Sequence, residues 1–204
     1  MLSPEKRLSG FLEELYRYRV ALTDQRRRVQ DAGVEARRGR GAALDRGKEL
    51  LFSPDPQSEV MRELETLQYT NLSEVWRLKN EVQFLLVAVR GIILMSKALE
   101  RITTGEHQTC VSEAIREFES TAPDAQLLRN IHEHMDEYFS DERSAGKLPD
   151  PSMEGGIGIS EEGGLYCFLG GKAFVVSEMA TAAEALATTV AECVKPPESG
   201  DQSE

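Results

Sequence analysis

Residues 75 to 99 read Val75-Trp76-Arg77-Leu78-Lys79-Asn80-Glu81-Val82-Gln83-Phe84-Leu85-Leu86-Val87-Ala88-Val89-Arg90-Gly91-Ile92-Ile93-Leu94-Met95-Ser96-Lys97-Ala98-Leu99, and their apolar spacing decides the fold. Leu78, Val82, Leu85, Val89, Ile92 and Leu99 advance by alternating steps of three and four. That is the period of one face of an α-helix, not the two-residue alternation of a strand. Phe84, Leu86, Ile93 and Met95 widen the stripe into a broad arc, which predicts the central, most buried helix of a bundle. Trp76 and Phe84 are expected in that core. The most apolar run, residues 84 to 95, is short for a bilayer span and contains Arg90.

Upstream of this helix, Asn71-Leu72-Ser73-Glu74 has the form of a capping box. It marks either a restart or a slight bend in a helix that begins after Asp55-Pro56 and carries Val60, Leu64 and Leu67 in period. At the start of the chain Ser3 can cap a helix with Pro4 in its first position, placing Leu8, Phe11, Leu15 and Leu22 on one face. This helix is expected to fade at Arg26-Arg27-Arg28.

Downstream, Thr103-Thr104-Gly105 ends the central helix, and a helix around 109 to 119 turns Val111, Ala114, Ile115 and Phe118 inward. Pro123 opens a further amphipathic helix, and the Gly/Pro-rich residues 144 to 151 form a break. The period then drops to two. Ile157 and Ile159, residues 165 to 169 and residues 173 to 176 are strands joined by Glu161-Glu162-Gly163-Gly164 and Gly170-Gly171 turns, followed by an Ala-rich helix over 179 to 194. The fold class is therefore mostly α: an antiparallel helical bundle with a small C-terminal antiparallel β-meander and a helix packed on it. The expected divisions are an N-terminal helix (1–28), a basic flexible linker (29–54), the helical bundle (55–142), the meander with its helix (143–195) and a polar tail (196–204).

Composition narrows the class. The 204 residues are 40% hydrophobic and 29% charged, as in a soluble globular protein, and the first residues lack the apolar region of a signal peptide. A cytoplasmic location and no membrane partner are expected. The net charge of -11 hides a basic stretch from Arg26 to Lys48, whose eight cations outnumber Asp31, Glu35 and Asp45. An acidic body repels phosphate backbones, so RNA could be held only on a local basic surface, with Arg37, Arg38 and Arg40 the candidates. The same Arg/Gly-rich composition also fits a solvated tether. Cys110, Cys167 and Cys193 are odd in number and widely spaced, so they are expected as reduced core residues.

One stretch carries chemical content: Leu127-Leu128-Arg129-Asn130-Ile131-His132-Glu133-His134-Met135-Asp136-Glu137-Tyr138-Phe139. On a helix, Leu127, Leu128, Ile131, Met135, Tyr138 and Phe139 fall in an arc of about 120°. Asn130, His134 and Glu137 line its edge, and Arg129 lies about 140° from His134. His132 and His134 are about 200° apart and cannot share a metal. One copy cannot bring Arg129 to His134, but two copies packed across a two-fold axis can.

The spacing Arg129-Asn130-x-x-x-His134 resembles the signature of the HEPN domains, all-helical modules that include metal-independent ribonucleases of toxin-antitoxin and defence systems. The resemblance covers one helix directly. It implies a homodimer with a composite cleft, RNA as substrate, an antitoxin protein as partner, and neither metal nor cofactor. Catalysis would fall to Arg129, Asn130 and His134: His134 moves protons, Arg129 offsets charge on the phosphate, and Asn130 orients. The alternative is a non-catalytic dimeric helical binding or scaffold protein in which Asn130 and His134 satisfy each other at a helix edge.

Overall fold

The computed structural model describes residues 3–51, 58–123, 156–159, 164–169 and 172–195. Two long helices dominate them, α1 (Pro4–Leu51) and α2 (Ser58–Ile102). At 1.5 Å per residue each is about 70 Å long. Gln25 donates to Glu81, Glu35 meets Arg77 at 2.5 Å and Arg46 meets Glu63 at 2.8 Å. These links step in opposite senses along the two helices, so α1 and α2 form an antiparallel hairpin.

A shorter layer covers one half of the hairpin. It holds α3 (Gly105–Thr121), the strands β1 (Gly156–Ile159), β2 (Leu165–Leu169) and β3 (Lys172–Val175), and α4 (Val176–Val194). The strands form an antiparallel meander in the order β1-β2-β3, with Ile157 opposite Cys167 and Cys167 opposite Phe174. β3 runs directly into α4. At the start of α3, Gly105 takes a φ of 63°, a left-handed conformation that glycine adopts without a Cβ clash.

The mostly α class with a terminal meander and helix is what the structure has, and the core lies where the period places it. Leu78, Val82, Leu85, Val89, Ile92 and Leu99 are all buried on α2, as are Val111, Ala114, Ile115 and Phe118 on α3. Leu15, Leu22, Val29, Ala32 and Ala36 meet them from α1, and Val176, Met179, Ala183, Leu186 and Val190 from α4. The helix at the capping box continues without a restart. By length and composition α2 could cross a membrane, and 50% of its most apolar window is buried within the fold.

Two expectations are corrected. The basic stretch is no linker: α1 neither fades at Arg26 nor breaks at 29, and runs helical to Leu51. Its seam is made of small residues, Ala32, Ala36, Gly39 and Ala43, spaced by four and three. Such a seam holds a partner helix by close approach, so it carries little of the bulk that marks an apolar face. A Cβ on Gly39 would collide with the Glu74 carboxylate of α2. Arg and Ala are also strong helix formers, and Asp24 pairs with both Arg27 and Arg28 one turn on.

The second correction concerns the cysteines. Cys110 and Cys193 form a disulfide with a Cα–Cα distance of 5.7 Å. They lie 83 positions apart, and only the antiparallel packing of α3 on α4 brings the start of one helix to the end of the other. His107 hydrogen-bonds through Nδ1 to the Cys193 carbonyl beside it. Cys167 alone is free and buried, as expected.

Candidate functional site

The hairpin changes character along its length. Among the described residues, no side chain beyond Ala36 on α1 or before Leu78 on α2 is buried. That end is an arm two helices thick, outside the layer formed by α3, the meander and α4. Its inner face carries two polar residues on the α2 side, Asn71 and Glu74, whose Oδ1 and Oε2 are buried without a hydrogen-bond partner among the described residues. Unpaired buried oxygens of this kind destabilise by about 1–3 kcal/mol each.

The outer surface of α2 is the reverse. Tyr69 is 74% exposed, Trp76 58% and Phe84 63%, with Leu72, Val75 and Val87 also open to solvent. At 100° per residue, Tyr69, Leu72, Trp76, Asn80, Phe84 and Val87 fall within an arc of about 120° whose centre lies opposite Leu78. Lys79 Nζ lies 5.0 Å from the centre of the Trp76 ring, a cation–π contact on one edge of the stripe. The placement of Trp76 and Phe84 in the core is thus overturned. The signal was in the numbering: Trp76 is two residues from Leu78 and Phe84 one from Leu85, spacings that turn them away from the buried stripe.

Of the basic candidates, Arg37 donates to the Gly33 carbonyl on its own helix, whereas Arg38 and Arg40 are exposed and have no carboxylate partner among the described residues. Their neighbours are largely neutralised. Arg26 reaches Glu184 of α4 at 3.5 Å, and Arg46 binds Glu49 and Glu63. Hydrogen bonding to Arg46 holds the Glu63 carboxyl below its usual range. Arg129, Asn130 and His134 lie outside the described residues, so the geometry neither joins nor separates them.

Between α3 and α4 lies a cleft of about 560 Å³, floored by Ala114, Phe118, Ala182 and Leu186 and edged by Arg26 and Glu178. No group of three or more His, Cys, Asp or Glu suited to a metal ion occurs among the described residues. The class defined by these features is a long antiparallel helical hairpin, half of it buttressed and half projecting as an arm with an apolar outer face. Compared with protein-family models, characterised proteins and solved structures, the chain matches none of them.

Proposed function

We propose that this chain is a helical binding or scaffold module that acts as a homodimer, engaging its partner through the outer face of α2. One observation carries the reading: the outer face of α2 presents a continuous apolar stripe to solvent, while the opposite face buries the unpaired oxygens of Asn71 and Glu74. A helix pair serving only as structure would turn large rings such as Tyr69 and Trp76 toward α1 and leave Asn71 and Glu74 in water. Large exposed apolar surfaces of this kind mark interaction sites. Sedimentation equilibrium at micromolar concentration tests it. Wild-type protein is expected to be a dimer, and Trp76→Glu with Phe84→Glu a monomer of unchanged helical content. A monomeric wild type overturns the proposal.

The second reading is a HEPN-like, metal-independent ribonuclease of a toxin-antitoxin or defence system, carried by the spacing of Arg129, Asn130 and His134. In it the dimer supplies Arg129 from one copy and His134 from the other, and Arg38 and Arg40 supply cationic surface for RNA. Arg129→Ala and His134→Ala should each slow RNA cleavage by about 10²- to 10⁴-fold, the range for loss of a general acid or base. Wild-type protein that cuts neither single-stranded nor transfer RNA ends this reading and leaves the scaffold.

A further inference from the structure

The order of side chains along the outer face of α2 has a symmetry that self-association can use. Asn80 sits at its middle. Trp76 lies four residues before it and Phe84 four after, Leu72 eight before and Val87 seven after, while Tyr69, eleven before, has no exposed counterpart at Gly91. A two-fold interface requires that if residue i of one copy meets j of the other, j also meets i. A stripe that reads nearly the same outward in both directions from one residue meets that requirement when two helices lie antiparallel with that residue on the axis.

Resting on the dimer reading above, we infer that two copies pair α2 against α2, antiparallel, with Asn80 at the two-fold axis and Trp76 of each copy against Phe84 of the other. The area is consistent with a stable pair. At about 150–250 Å² for an aromatic side chain and somewhat less for an aliphatic one, the exposed parts of Tyr69, Leu72, Trp76, Phe84 and Val87 sum to roughly 500 Å² per copy. A stable interface covers about 800 Å² per partner, roughly two-thirds of it apolar in homodimers, so the stripe supplies the apolar share.

Asn80 gives the pairing its register. It is exposed and makes no hydrogen bond among the described residues. A side-chain amide is both donor and acceptor, so two of them facing across an axis can satisfy each other reciprocally. A single Asn in an otherwise apolar helix seam fixes register and orientation in this way.

Cysteine cross-linking tests the geometry. In full-length protein under mild oxidation, Asn80→Cys is expected to give a covalent dimer on a non-reducing gel. Ser73→Cys is expected to stay uncrosslinked, because seven residues from the axis on each copy separates the two positions by about 21 Å along the helices. Wild type is the control for the native cysteines. A dimer by sedimentation in which Asn80→Cys fails to cross-link, or in which Ser73→Cys cross-links equally well, overturns the antiparallel register while self-association stands. A monomer by sedimentation overturns both.

Discussion

At the scale of single residues, packing turns small differences in position into measurable ones. Burial pushes the Cys167 thiol up to about 11 from an ordinary 9.0, with the charge of Lys79 partly opposing. The folded state therefore holds its proton more tightly than the unfolded state. This contribution is fully present below pH 9 and is lost as pH rises from 9 to 11. It amounts to about 2–3 kcal/mol at 1.36 kcal/mol per unit. Urea unfolding of wild type and Cys167→Ala at pH 8 and pH 11 should show the wild type losing more stability across that window. Gly91 is a second such position, because a Cβ there would enter the Tyr18 ring. Gly91→Val should cost about 1–3 kcal/mol as an overpacked helix contact, read from the denaturation midpoint. Sequence made the inward residues of α2 legible because a period repeats. The outward turn of Trp76 and Phe84 is equally available from the wheel, but large aromatic rings argue for burial by their chemistry, against their angle.

Among the elements, α1 separates what composition says from what packing does. Arg-rich, Gly-containing sequence reads as solvated chain when bulk is the criterion. Here the seam is built from side chains too small to register as apolar, and its stability comes from proximity to α2. A proline inside it distinguishes the two states directly. Arg40→Pro in a tether would be silent, whereas in a continuous helix it should cost about 3 kcal/mol and lower the helical circular dichroism signal. The inward face of α3 was legible to the residue, since Val111, Ala114, Ile115 and Phe118 repeat at helical spacing, although the helix itself begins four residues earlier and ends two later than expected. The meander was legible because glycine pairs punctuate it.

For the whole molecule, long-range contacts are what a local reading of sequence misses. The disulfide depends on two helix ends meeting through the fold, and nothing in the neighbourhood of Cys110 or Cys193 announces it. Chain entropy over a loop of this size predicts that the bond stabilises by about 4.5 kcal/mol. Reduction, or Cys110→Ser with Cys193→Ser, should then lower the melting temperature by about 10 °C at the 2–4 °C per kcal/mol usual for this length. An unchanged melting curve in reductant would refute that estimate. The buried oxygens of Asn71 and Glu74 were not legible, because they follow from where α1 lies against α2. The same bond gives the polypeptide an unusual connectivity. Residues 110 to 193 form a closed covalent circuit that contains the whole meander and the Arg129–His134 segment. A protease nick anywhere inside the circuit would leave the mass of the chain unchanged apart from one added water until a reductant opens it, so only a reducing gel would reveal the cut.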